Sequence, residues 1–496
     1  MTDIVIAAVP YVDTWEPIMA PALLKSIALQ QGYSCVAMDL NIKFLDQIKD
    51  LSNKDQIIEF FTSFTPNPAV ANDVSMLISN AANTILEHNP KIVALSLLTH
   101  HSQIFTRWLA VKIKSLRPDV KIIIGGSGIK DLKDGLVVDK NVFCDELISL
   151  GLIDHFIIGD GEIAFRKYLN GDYSYPGINT NTWVQPLELD QFPYPDYSDY
   201  NLQDYIYPCI PVTDSRGCVR DCEFCDVIEH WKKYVYRSAD SLFAEMLYQI
   251  ENHGIYHFSM RNSLTNGNMK EFKKWLDLVV DYNEGKPREK QISWFGFFIV
   301  REPDQHPEEM WEKLGKSNGF LQLGVESVIK HVRWNMRKKF SNEAIDYHLE
   351  MGRKYNVPLR LLMIVASPDE TLEDYAYTKQ WFLDRYKYAN NSVVSVSLTI
   401  ASILPGTAWD RKKDERNVLT GDYPSIWINQ NLRITAKQRM DYFAELSEIC
   451  KFFEQPNTID GQTIIKPLST PKPSASIEKA LPVMKIMTEY AKQIAD

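Results

Sequence analysis

Near-continuous apolar runs, each followed by a helical stretch, recur along this chain in two series, and this alternation limits its fold more than any other feature. In the first series the runs stand at 3–10 (DIVIAAVP), 34–40, 91–98, 120–128 and 155–162, with helical patterns such as 20–31 and 102–116 between them. A strand apolar on both faces must be covered on both, which predicts an α/β fold with a parallel, doubly wound sheet. In such sheets ligands sit beyond the C-terminal strand ends. Those ends carry Thr99, His100 and Ser102, then Gly125 and Gly126, then Gly159, Gly161 and Glu162. A stretch rich in Pro, Asp and Tyr follows and reads as an extended linker. The second series has strand-like runs at 208–215, 255–260, 292–298, 320–327, 357–365 and 393–402. Six strand–helix units predict an open barrel, smaller than the eight-unit closed form. The expected organisation is a Rossmann-like domain over 1–185, a linker over 186–205, a partial (β/α)6 barrel over 206–410 and a mainly helical region over 411–496.

The bulk properties narrow the function. The chain has 496 residues and a formal net charge of -10, which argues against broad electrostatic binding of nucleic acid. No apolar run reaches the ~18–20 residues that a membrane helix needs. The N-terminal MTDIVIAAVPYV lacks a basic leader and reads as a first strand, so a cytoplasmic location is expected. The 7 cysteines are too few for a disulfide scaffold in a chain of this length. Cys35, Cys144, Cys209 and Cys450 are scattered and read as small core residues.

Cys218, Cys222 and Cys225 are different. They crowd into SRGCVRDCEFCDV, just after the first strand of the second series, where barrel chemistry gathers. Structural zinc sites close with four ligands. Three thiolates can instead hold three irons of a four-iron cluster and leave the fourth open to polarise a bound substrate. The alternative is a zinc site completed by a distant group such as His230 or Cys209.

A C-x3-C-x2-C triplet with an aromatic residue, Phe224, before its last cysteine resembles that of the radical S-adenosylmethionine (SAM) superfamily. Other stretches are similar to the family's in the expected order: FSMRNSLTNGN (258–268) to its polar second-strand end, LQLGVES (321–327) to its G-x-E-S strand, LLMIVASPDETLED (361–374) to its G-x-P-x-E-T segment and LPGTAWD (404–410) to its later turn. One departure is Ala366, where the family pattern has glycine. The resemblance implies that Cys218, Cys222 and Cys225 bind a [4Fe-4S] cluster whose open iron chelates SAM. Reductive cleavage then yields a 5'-deoxyadenosyl radical. It implies SAM contacts from Glu326 and, more weakly, Asn262 and Ser263. Phe224 packs beside the cluster or adenine, or only fills the core, and Arg360 is a candidate partner for the methionine carboxylate. Asp369 and Glu370 are expected to favour a helix N-terminus. The implied partners are a small-molecule or peptide substrate and an electron donor such as flavodoxin or ferredoxin.

A doubly wound domain ahead of such a barrel resembles the cobalamin-binding class of these enzymes. The corrin would lie over the loops at Thr99, His100, Ser102, Gly125, Gly126, Gly159, Gly161 and Glu162. No D-x-H-x-x-G motif is present, so a lower face without histidine is expected. The leading expectation is a cobalamin-dependent, methyltransferase-like radical SAM enzyme. The alternatives are a radical SAM enzyme without cobalamin, including a methylthiotransferase-like one, and a zinc-stabilised small-molecule-binding module.

Overall fold

The computed structural model describes residues 2–12, 14–62, 67–129, 142–385, 394–421 and 425–453, with short backbone pieces at 132–133, 136–137, 458–459 and 462–463. The chain forms two compact units, one of residues 1–133, 137–212 and 244–257, the other of 134–136, 213–243 and 258–496.

The first unit holds a parallel sheet of β1 (Ile4–Ala8), β2 (Cys35–Asp39), β3 (Ile92–Ser96), β4 (Lys121–Gly125) and β5 (His155–Ile157), in spatial order β2-β1-β3-β4-β5. All five sequence-derived strands are present. Alternate residues point to opposite faces. Val5, Ala7, Val93 and Ile122 enter one core with Phe44 of α2 (Leu40–Ile48), Ile78 of α3 (Ala71–Leu86) and Leu109 of α4 (Gln103–Leu116). Ile4, Ile6, Ala94 and Ile123 enter the other with Ile27 of α1 (Met19–Gln30) and Phe165 of α5 (Gly161–Leu169). The apolar runs are continuous because both faces are covered.

The Pro/Asp/Tyr stretch is docked rather than loosely tethered. Lys25 of α1 is buried and reaches Asp199 at 2.6 Å, Ser198 Oγ at 2.7 Å and Asp196 at 3.3 Å. Ser26 donates to the Tyr194 carbonyl at 2.7 Å, and Asp199 accepts from the Ala37 amide at 2.9 Å. A buried ammonium requires such partners, and they fasten the segment to the domain.

A second, six-stranded sheet consists of β6 (Ile210–Val212), β7 (His257–Met260), β8 (Ser293–Ile299), β9 (Gly319–Glu326), β10 (Leu359–Val365) and β11 (Val394–Ile400), of which β8 to β11 fall wholly in the second unit. Spatial order follows sequence order, with β6 and β11 at the edges, and the chain enters the second unit at the end of β6. Pairing from β8 through β11 is parallel. This is the partial barrel expected. Asn268, Ser341 and Thr371 cap the starts of α6 (Met269–Asn283), α8 (Asn342–Lys354) and α9 (Leu372–Asp384), and α7 (Glu308–Lys316) lies between α6 and α8 in sequence. Beyond residue 410 the described chain forms a hairpin of β12 (Val418–Thr420) and β13 (Trp427–Asn429), then α10 (Ala436–Cys450). About half of the region expected to be helical lies outside the described residues. No helix among the described residues is long and apolar enough to cross a membrane.

Glycine is required where two loops of the first unit cross. Gly126 has φ +103, and a Cβ there would stand 2.3 Å from the Leu97 carbonyl oxygen. Gly126→Ala should therefore lower the stability of the chain by about 2 kcal/mol or more, read as a fall in the thermal unfolding midpoint.

Candidate functional site

The cysteine loop follows β6 and is bounded by a short antiparallel pairing of Ser215–Arg216 with Val235–Tyr236. Gly217 turns into it with φ +79, because a Cβ would meet the Lys233 carbonyl oxygen at 2.5 Å. The Cys225 amide donates to the Cys222 carbonyl at 3.1 Å, and the Arg220 amide to Cys218 Sγ at 3.4 Å. Cys222 is buried, while Cys218 and Cys225 are half-buried. Burial pushes the Cys225 thiol up to about 12, and the negative charges of Cys222 and Cys218 add to the rise. Burial also raises Cys222, with Lys338 opposing. The three sulfurs thus lie within one another's field, and as thiolates they need a cationic centre.

The donor set offered by this loop is three cysteine thiols. Among the described residues, no three His, Cys, Asp or Glu side chains are grouped as ligands of a single metal ion. The candidate fourth zinc ligands are engaged elsewhere: His230 Nε2 lies 3.6 Å from Asp226, and the Cys209 thiol, inside the first unit, donates to Glu16 at 3.4 Å.

Glu223, inside the triplet, was not singled out by sequence reasoning, yet it anchors the loop. Its buried carboxylate accepts from Lys412 and Arg416, both at 2.5 Å, and lies 3.4 Å from Arg337 Nε. Its amide donates to the Met336 carbonyl at 3.3 Å, and its carbonyl accepts from the Trp409 amide at 3.0 Å. Phe224 packs against Trp409 at 5.8 Å between centroids.

Glu326 ends β9 with φ +65, where the β9–β10 register shifts. It is 7% exposed and paired with Lys338 at 2.8 Å, so its charge is already compensated. Lys338, also missed, is equally buried and donates to the Gly324 carbonyl at 3.2 Å. Burial works to neutralise it, but the charges of Glu326 and Cys222 outweigh this and hold its pKa above the ordinary lysine value. The only sequence signal was the basic run MRKK (336–339).

Asn262 and Ser263 lie just beyond β7. The Asn262 amide donates to Asp214 and, at 3.1 Å, to Thr265 Oγ1. Its Oδ1 is buried without a protein partner. Burial pushes the Asp214 carboxyl up to about 6, against the bond from Asn262. A small cleft opens beside Asp214, lined also by Tyr234, Thr265, Asn268, Glu271 and Trp275.

Arg360 does not belong to this constellation. It is the second residue of β10, buried with its guanidinium 5.4 Å from the Phe320 ring. Parallel strands put it at the end opposite Glu326, so we drop it as a SAM contact. Glu370 accepts from the Ser367 amide at 2.7 Å, and Asp369 faces Arg416 at 3.5 Å. The helix start is capped by Thr371 with Asp374 instead.

Ala366 adopts φ +56, so the backbone here takes the left-handed form that the family's glycine favours. Its carbonyl accepts from Arg439 of α10 at 3.3 Å. That buried guanidinium also donates to the Trp427 carbonyl at 2.9 Å and the Ala401 carbonyl at 3.0 Å, and it stacks 3.4 Å over the Trp427 ring.

In the first unit, Thr99, His100, Ser102, Gly125, Gly126, Gly159, Gly161 and Glu162 all follow or end β3, β4 and β5, along one sheet edge. Several have structural duties. Ser102 Oγ donates to the Val9 carbonyl at 3.1 Å, and Gly159, with φ +87, lies against the Trp183 ring. His101 Nδ1 is 2.9 Å from the Thr62 carbonyl, and the His100 ring packs tilted against it at 3.9 Å, the His100 pKa lowered by burial to about 4. Thr99 Oγ1 is buried without a protein partner.

Residues 212–382 match the family model described as the radical SAM superfamily. The chain thus contains a stretch that matches the radical SAM domain. A curated relative is the hopanoid C-3 methylase of Methylococcus capsulatus, 23% identical over 68% of this chain; the chain spans 63% of that relative's length. The radical SAM methyltransferase TsrM from Kitasatospora setae, solved with cobalamin and a [4Fe-4S] cluster bound, has the same fold at TM-score 0.61, with 15% identity over 89% of this chain and 85% of that one. OxsB, a cobalamin-dependent SAM radical enzyme, matches at TM-score 0.63, with 13% identity over 98% of this chain and 71% of that one. The cysteine triplet lies within the matched stretch, on the loop that follows β6.

Two substitutions probe the site's supports. Glu223→Gln should cost about 2 kcal/mol in chemical denaturation, because it leaves partly buried cations without their counter-charge. Ala366→Gly should raise stability by about 0.5–1 kcal/mol in the same assay, since it relieves a left-handed Cβ.

Proposed function

We propose that this chain is a radical SAM enzyme that holds a [4Fe-4S] cluster and SAM in its second unit and cobalamin in its first, and that it transfers a methyl group or carries out a related radical transformation. The carrying observation is the three-cysteine loop beyond β6, with the Lys338–Glu326 pair within its electrostatic reach. Cys218, Cys222 and Cys225 would bind three irons through their thiolates. The bound cluster would supply one-electron reductive cleavage of SAM.

The chain's own residues supply position and shelter. Glu223 and its cations hold the loop. Glu326, paired with Lys338 at a strand end, can accept from a ligand hydroxyl or amino group. Asn262 Oδ1 offers a buried acceptor without a protein partner. The edge that carries Thr99, Ser102, Gly126 and Gly159 is the candidate cobalamin face, supported by the cobalamin bound in TsrM. Methyl transfer is supported by the names of the hopanoid methylase and of TsrM. A methylthiotransferase reading lacks a second cluster site: Cys35 and Cys144 enter cores on opposite faces of the first sheet, and Cys209 binds Glu16.

The test is anaerobic reconstitution with iron, sulfide and hydroxocobalamin, followed by reduction and addition of SAM. We expect cluster absorption, a retained corrin spectrum, and 5'-deoxyadenosine or S-adenosylhomocysteine as SAM-derived product. Cys222→Ala should abolish the cluster signal and both products. A wild-type protein without cluster or SAM-derived product overturns the reading; loss of the corrin alone overturns only the cobalamin part.

A further inference from the structure

Lys338 is placed with more care than an ordinary structural ion pair needs. Its ammonium is buried, lies 2.8 Å from Glu326 and stands 5.6 Å from the centroid of the Phe224 ring, the residue between Cys222 and Cys225. Arg337 and Lys339 on either side both have positive φ, +61 and +45, a conformation that residues with a Cβ disfavour. At Gly324 a Cβ would stand 2.8 Å from Lys338 Nζ and 2.9 Å from Glu326 Oε1, so the strand carries no side chain where the ammonium passes. The hydrogen bond from the Glu223 amide to the Met336 carbonyl joins this basic loop to the cysteine loop. For stability alone, a well-packed apolar pair serves as well as a buried ion pair.

We propose that Lys338 is a positioning residue that sets the electron affinity of the cluster held by Cys218, Cys222 and Cys225, its fixed positive charge favouring the reduced form. This rests on the reading of those cysteines as cluster ligands. Reduction adds one electron from a low-potential one-electron donor, breaks no bond and takes up no proton. The added negative charge is stabilised most by a nearby cation that water cannot screen. The side chains of Arg337, Lys412 and Arg416 are 41%, 36% and 20% exposed, against 8% for Lys338. Those three are shared among the carboxylates of Asp221, Glu223 and Asp369, whereas Lys338 lies against Glu326 and the Phe224 ring inside the triplet.

The experiment is a redox titration of the reconstituted full chain without SAM, followed by electron paramagnetic resonance, for wild type, Lys338→Arg and Lys338→Met. Lys338→Met leaves Glu326 buried and unpaired, so the comparison is repeated on a Glu326→Gln background. We expect removal of the charge to shift the midpoint to more negative potential in both backgrounds. The shift should reduce the ratio of reduced to oxidised cluster at a fixed poise about tenfold, or about 59 mV for one electron. Lys338→Arg should stay near wild type. Retention of the cluster by Lys338→Arg but by neither neutral variant also supports the proposal, because the anionic cluster then depends on the charge. An intact cluster with an unshifted midpoint overturns it, as does loss of the cluster in all three lysine variants. A wild-type chain that assembles no cluster overturns the functional reading instead.

Discussion

The carboxylate of Glu223 governs where the cysteine loop lies. A buried carboxylate must be compensated, and this one draws Arg337 from beyond β9 and Lys412 and Arg416 from beyond β11 onto a loop that follows β6. Its backbone amide and carbonyl are bonded as well, to Met336 and Trp409. A loop with little regular structure of its own is thereby fixed at side chain and backbone by segments roughly 110 and 190 residues away in sequence. Three sulfurs can face a common ligand only if the chain between them keeps one shape, so ligand geometry depends on this grip.

The strand ends show the same division between a local departure and a distant support. β9 and β10 both leave their ladder through a left-handed residue that is not glycine, Glu326 and Ala366. Each such residue costs roughly 1–2 kcal/mol relative to relaxed backbone. The offsetting contacts come from buried cations: Lys338 pairs with Glu326, and Arg439 binds the Ala366 carbonyl. Arg439 sits in the region after residue 410, for which the sequence suggested no role. Its bonds to Ala366, Ala401 and Trp427 brace the ends of β10 and β11 against the β12–β13 hairpin.

Much of the architecture was legible because burial on both faces leaves a direct trace in the sequence. The apolar runs at 3–10, 34–40, 91–98, 120–128 and 155–162 became five parallel strands, and six further runs became the second sheet in order. The cysteine triplet was legible because three closely spaced thiols within one short loop stand out in the sequence. Arg360 was misplaced because a strand's direction in the sheet decides which end reaches the site, and a charge beside an apolar run does not reveal that. The segment at 186–205 read only as an extended linker because its partners, Lys25 and Ser26, lie far upstream on a helix face.

By itself, then, the sequence determined a doubly covered parallel sheet, a second β/α series, the three-thiol loop and its resemblance to the radical SAM motifs. These are local or periodic properties, set by alternation, spacing and short motifs. Only the tertiary structure decided which charges stand beside that loop. Glu223 with its cations, Lys338 with Glu326, and Arg439 with the strand-end carbonyls pair residues far apart in the chain, and a buried charge finds its partner through the fold, where distance and desolvation are set together.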